Sequence, residues 1–162
     1  VTTIVGVRTP TAIVLAADRA VTSDITTNTG QCKLLRFGRD VVAFAGDCDR
    51  IARACACITR YPGEYYRACR AAKLSAVAVV SGVLQDIEWT GSSEQIPGYT
   101  ALGSGVRVAL GALHATDGLV KSARERALIA LRAAAKHDTN TGGPFDVLII
   151  WPSRQRMITY ER

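Results

Sequence analysis

Histidine is nearly missing from this chain, which carries only His114 and His137 among its 162 residues. That scarcity leaves little for an imidazole-based metal centre or a cysteine–histidine nucleophile pair, since both need ring nitrogens beside a thiol or carboxylate. The five cysteines, Cys32, Cys48, Cys55, Cys57 and Cys69, do not fill the gap. Their number is odd, most sit among alanines in a helical-looking stretch, and Cys55 and Cys57, two apart, face different directions on a helix. They read as reduced, buried thiols in a reducing compartment. Neither a metal nor a cofactor is expected.

Long apolar runs are lacking too. The longest, 76–80 and 147–151, are strand-sized, against the ~20 residues that span a bilayer. No membrane span is expected. The first residues lack the basic region, apolar stretch and small-residue cleavage site of a secretory signal, which predicts a cytoplasmic address. Basic runs are also absent: the net charge is +6, but the arginines are scattered without interleaved aromatics, so they read as a solvated surface rather than a nucleic-acid footprint. Lysine is scarce in the first half, where Lys33 is the only one before Lys73. A lone lysine among arginines suggests a place that wants a compact ammonium.

What is present argues for one domain over residues 1–162. Hydrophobic residues at 48% and charged ones at 21% are globular proportions, sufficient for a continuous core and unlike a disordered chain. Runs 3–7 and 12–17 are β-branched and apolar around Arg8-Thr9-Pro10-Thr11, which predicts a hairpin with proline in its turn. Runs 32–37 and 41–45 repeat the pattern around Gly38.

Gly46 then breaks it. Helical spacing follows from Asp47, a second short helix over 64–73, and a hairpin over 76–80 and 83–88. Residues 90–99 read as a polar loop, 106–114 as a helix, and Ser122-Ala123-Arg124-Glu125 as a capping box opening a helix to about 137. A loop over 138–143 and a hairpin over 146–151 and 156–160 close the chain. Antiparallel strand pairs alternating with helix pairs predict two stacked antiparallel sheets with helices on each outer face, an α+β, four-layer αββα sandwich. Strands apolar on both faces, such as 12–17, fit that burial.

Six short motifs occur in order: Thr2-Thr3-Ile4-Val5-Gly6-Val7, Ala16-Ala17-Asp18-Arg19-Ala20, Lys33, Ala45-Gly46, Gly103-Ser104-Gly105 and Asp138-Thr139-Asn140-Thr141-Gly142. In them the chain resembles the proteasome β subunits and the HslV peptidase, a family of N-terminal-nucleophile threonine hydrolases. The last motif has threonine where the family's Asp-x-x-Ser-Gly element has serine. The segment between Gly46 and Ala76 is shorter than in most relatives, which predicts that one helix is truncated or partly absent.

The resemblance implies a chemistry. A threonine hydroxyl needs a base, and the family uses the residue's own α-amine. Its reference pKa of about 7.7–8.0, against about 10.4 for lysine, favours free base near neutral pH by roughly 3.4 kcal/mol. Thr2 is then the nucleophile, and Lys33 stays a cation that lowers the amine's pKa. Asp18 holds that cation, an ordinary surface ion pair being the plain structural alternative. Gly46 offers an oxyanion N–H, worth about 3 kcal/mol in such sites, or a simple strand-to-helix turn. Ser104 supplies a hydroxyl near the amine or caps the following helix. Asp138, at a helix C-terminus where the macrodipole disfavours an anion, needs compensation. With Thr141 it is implied to arrange the amine and the hydrolytic water, an Asx-type turn being the alternative.

The family also implies stacked homo-oligomeric rings, unfolded polypeptide as substrate and delivery by an ATP-dependent unfoldase. Nucleic acid and membrane are not expected partners. Val1 stands against the scheme, because with it attached the nitrogen of Thr2 is an amide and no base. It reads as a processing remnant, as an engineered replacement, or as the mark of a naturally inactive protein. Placing Val1 itself at the nucleophile's position needs an insertion before Asp18 and a deletion before Lys33. A non-catalytic ring subunit of the same fold is the rival reading.

Overall fold

The computed structural model describes residues 2–22, 27–28 and 32–161, so Val1 lies outside the described residues. The chain opens with the predicted hairpin, β1 (Thr3–Arg8) and β2 (Ile13–Asp18). Its turn is closed by the Thr9 amide and hydroxyl, which donate to the Ala12 carbonyl at 2.8 and 3.0 Å. Two short strands that sequence periodicity did not reveal follow, β3 (Val21–Thr22) and β4 (Thr27–Asn28). Then come β5 (Leu34–Phe37), β6 (Asp40–Ala45), α1 (Cys48–Arg60), α2 (Tyr65–Ala72), β7 (Ser75–Val80) and β8 (Val83–Ile87).

Both helices between Gly46 and Ala76 are formed, with 13 and 8 residues, the second being the short one. Asp47 caps α1 by accepting from the Arg50 amide at 2.9 Å, a contact that satisfies one of the donors a helix start leaves without a partner.

The expected loop over 90–99 is partly strand. β9 (Ser93–Gln95) pairs with β8, and β10 (Tyr99–Gly103) pairs antiparallel with β1, Thr3 opposite Gly103. The polar and glycine-rich composition hid both strands, because edge pairing is decided by the neighbour rather than by local propensity. The chain ends in α3 (Val106–Thr116), α4 (Ala123–His137), β11 (Phe145–Ile150) and β12 (Gln155–Tyr160). Ser122 caps α4 through the Glu125 amide at 3.3 Å, as the capping box predicts.

Two five-stranded antiparallel sheets result, ordered β10-β1-β2-β11-β12 and β5-β6-β7-β8-β9. Three apolar layers give the stacking order. Val5, Val7, Val14 and Ala16 pack with Leu113, Ala127 and Leu131 of α3 and α4. The alternate residues Ile4, Ile13 and Leu15 meet Val41, Ala43, Val77 and Leu84 of the second sheet. Val42, Phe44 and Ala76 on that sheet's far face pack with Ala54, Ile58, Tyr65 and Cys69 of α1 and α2. The period-two alternation thus sends the inner strands' side chains into two cores, the αββα sandwich. Each fully buried leucine or isoleucine contributes about 1.5–3 kcal/mol of transfer free energy.

The cysteines depart from expectation. Only Cys69 is buried, with its thiol pushed up to about 12 by that burial, while Cys48 is exposed. Alanine-rich surroundings do not guarantee burial at the N-terminal turn of a helix, where Cys48 stands. Among the described residues no helix is long and apolar enough to cross a membrane.

Candidate active site

The start of β1, the end of β2 and the residue ahead of β5 converge on one carboxylate. Asp18 is 0% exposed. Its Oδ1 accepts from the Thr3 amide at 2.8 Å and from the Lys33 ammonium at 2.9 Å, and its Oδ2 accepts from the Ala20 and Gly142 amides at 3.1 and 3.4 Å. A buried carboxylate is tolerable only with such a set of donors.

Lys33 donates again to the Ala20 carbonyl at 2.6 Å. Its side chain and that of Asp18 are 6% and 0% exposed, so the surface-pair alternative does not hold. Burial pulls the Lys33 ammonium below the ordinary lysine range, against the opposing charge and hydrogen bond of Asp18.

A chain of hydroxyls forms the second half of the cluster. Thr141 Oγ1 donates to Asp138 Oδ2 at 2.6 Å, and Thr141 Oγ1 also lies 2.6 Å from Thr3 Oγ1. Thr141 has one proton and gives it to the carboxylate, so Thr3 must be the donor in the second contact. Thr3 Oγ1 in turn accepts from the Gly105 amide at 3.1 Å. Ser104 Oγ donates to the same Asp138 oxygen. Ser104 therefore does not cap α3, whose first turn has no side-chain cap.

Asp138 is the C-cap of α4, where the dipole disfavours it. Burial also opposes its ionisation. The hydrogen bonds from Ser104, Thr141 and Asn140 outweigh that and hold its carboxyl below the usual range. This is the compensation that the sequence required.

Thr2 is 2% exposed, and its carbonyl accepts from the Ser104 amide at 3.0 Å. Two glycines permit this approach. A Cβ on Gly103, whose φ is +108°, would lie 1.7 Å from the Thr2 oxygen, and one on Gly105 would lie 2.5 Å from Thr3 Oγ1. The Gly-Ser-Gly motif is thus a close-packing device as well as a source of the Ser104 hydroxyl.

Thr2, Asp18, Lys33, Ser104, Asp138 and Thr141 are joined in one network running through Thr3. Gly46 sits at the β6-to-α1 turn, where a Cβ would meet Leu74 Cδ2 at 2.2 Å. The first residue of α1, Cys48, is near enough to Lys33 to bear on its ammonium, which puts this turn at the same end of the sandwich.

Sequence reasoning missed Thr3, whose inward hydroxyl and amide tie the two halves together. It also missed Arg19, whose Nε and Nη2 grip both oxygens of the buried Asp146 at 2.8 Å and pin the end of β2 to β11. The adjacency of Arg19 to Asp18 was the available signal. Among the described residues no group of three or more His, Cys, Asp or Glu is placed to hold a metal ion.

No protein-family model matches the chain. Solved structures do. Thiobacillus denitrificans BPH in complex with epoxomicin superposes with a TM-score of 0.80 at 16% identity, covering 94% of this chain and 100% of that one. Another structure of the same BPH gives 0.80 at 17%, covering 92% and 97%. Eukaryotic HslV from Trypanosoma brucei gives 0.74 at 25%, covering 92% and 99%. These likenesses carry the αββα fold of N-terminal-nucleophile hydrolases across nearly the whole chain.

Proposed function

We propose that this chain, a member of the proteasome β-subunit and HslV-like family, is a threonine-type endopeptidase subunit whose nucleophile is Thr2 once Val1 is removed. The observation that carries the reading is the shared Asp18 Oδ1, which joins the Lys33 ammonium to the amide of the Thr2–Thr3 peptide. A desolvated cation beside that peptide depresses the pKa of a free amine on Thr2, and so keeps it unprotonated near neutral pH.

The freed amine takes the proton of the Thr2 hydroxyl as Oγ1 attacks a peptide carbonyl. The Gly46 amide donates to the oxyanion that forms. Collapse expels the amine leaving group with the proton the α-amine carried, and leaves an ester on Oγ1. Water, losing a proton to the same amine, hydrolyses that ester. Ser104, Asp138 and Thr141 orient the amine and the water. Thr2 is 2% exposed, so activation has also to open it to substrate. Unfolded polypeptide is the substrate, the assembly is stacked rings in the cytoplasm, and an ATP-dependent unfoldase delivers the substrate.

N-terminal mass spectrometry paired with a peptidase assay tests this. Chains that begin at Thr2 are expected to cleave unfolded polypeptide and to bind epoxomicin, the compound held by the Thiobacillus denitrificans BPH. Cleavage by chains that keep Val1 would contradict the amine mechanism. Inactivity persisting after its removal would favour a structural ring subunit.

A further inference from the structure

At the opposite end of the sandwich lies a cleft of about 690 Å³ that the peptidase reading leaves unused. It opens among four hairpin turns, those joining β1 to β2, β5 to β6, β7 to β8 and β11 to β12. β1 runs from the Thr2 site at Thr3 to the cleft at Arg8, five residue steps or about 17 Å of strand. The volume is within the ~300–1,000 Å³ of small-molecule sites.

The charge of the lining is one-sided. Arg8, Arg36, Arg39 and Arg154 contribute side chains from both sheets, and the lining holds no Asp or Glu. All four arginines are exposed, and among the described residues none of them forms an ion pair. The nearest carboxylate in sequence, Asp40, is not in the lining and is already occupied, accepting from the Tyr65 hydroxyl at 2.8 Å and from the amide of Ser81, a lining residue, at 2.9 Å.

Two of the arginine side chains, Arg36 and Arg154, are also held in place. Arg36 Nη2 donates to Gln155 Oε1 at 2.7 Å, and Gln155 Nε2 donates back to the Arg39 carbonyl at 2.6 Å, which links β5 across to β12. Arg154 lies over the Trp151 ring at 4.6 Å. Guanidinium groups that line one cleft without counter-ions repel one another, a cost that a bound anion removes. Their planar forks match phosphate oxygens two at a time. Four of them exceed what one phosphate needs. The floor of Ile13, Ile150 and half-buried Trp151 offers apolar surface beside them.

We infer that this cleft binds an oligophosphate, a ligand with two or more adjacent phosphates, either inorganic or carried by a nucleoside. Calorimetric titration of the whole chain at low salt with tripolyphosphate, with ADP, with pyrophosphate and with inorganic phosphate tests it. Saturable one-to-one binding of tripolyphosphate or ADP is expected, with inorganic phosphate weaker. ADP binding more tightly than pyrophosphate would assign the apolar floor to a base, and equal binding would assign the phosphates alone.

Arg36→Gln/Arg39→Gln is expected to weaken binding at least about tenfold, as loss of a charged hydrogen bond does. Arg154→Gln, which leaves the Gln155 link intact, should weaken it as well. Arg53→Gln on α1, a single charge loss remote from the cleft, should leave it unchanged. No saturable binding, equal weakening by Arg53→Gln and Arg154→Gln, or tighter retention of a single-stranded oligonucleotide than of tripolyphosphate would each overturn the assignment.

Discussion

Lys33 and Asp18 meet inside the protein, Nζ 2.9 Å from Oδ1, with side chains 6% and 0% exposed. Removing one partner strands the other without a counter-charge in a poorly solvated place. Lys33→Ala is therefore expected to lose roughly 3–5 kcal/mol of stability by chemical denaturation, the usual result of breaking a buried pair. In chains that begin at Thr2 it should also lower peptide hydrolysis about 10²–10⁴-fold, the span attributed to assisted proton transfer. Lys33→Arg keeps the charge but not the compact shape. It should recover stability in part and activity little.

Thr141 separates a hydrogen-bonding role from a steric one. Thr141→Val keeps the shape but leaves Thr3 Oγ1 and Asp138 each short of a partner that is now 2.6 Å away. A loss of about 1–3 kcal/mol is expected, read as a lower denaturation midpoint with an unchanged denaturant slope. Thr141→Ser restores the hydroxyl, and with it most of that loss.

Gly103 tests the close approach to Thr2. A Cβ there would sit 1.7 Å from a backbone oxygen at a φ of +108°, and backbone cannot yield as a side chain does. Gly103→Ala should destabilise by at least about 3 kcal/mol and abolish activity. Gly38→Ala, at a φ of +66° in open space, should cost only about 1 kcal/mol.

Acid should weaken the fold through Asp146 and Asp138. Burial pushes both carboxyls up. At Asp146 the bonds from Arg19, Thr159 and Cys32 prevail, and at Asp138 those from Ser104, Thr141 and Asn140 do, so both ionise below the usual range. The folded state then holds fewer protons than the unfolded one. Their stabilisation is complete above the unfolded value of about 3.9 and is lost as pH falls through the lower folded values. Thermal unfolding followed from pH 5 downward should show the decline, and Asp146→Asn should flatten it while lowering stability near neutral pH.

The hairpins, the capped helices and the layer order were legible because each rests on signals a few residues apart: the Thr9–Ala12 turn, the Asp47 and Ser122 caps, the period-two alternation of 12–17. The residue types of the site were legible through short motifs, since an ammonium, a carboxylate and a set of hydroxyls can be recognised by identity alone. β10 was not, because a strand of mixed polarity is defined by the backbone of β1 beside it.

Nor did the chain's order disclose that Thr3 binds Thr141 across 138 residues, that Gly103 must lack a Cβ, or that arginines from two sheets line one cleft. Local propensity and periodicity select the elements. Which residues from distant elements share a site depends on how the two sheets stack and where their strand ends meet, and that geometry exists only once the packed cores have brought those ends together.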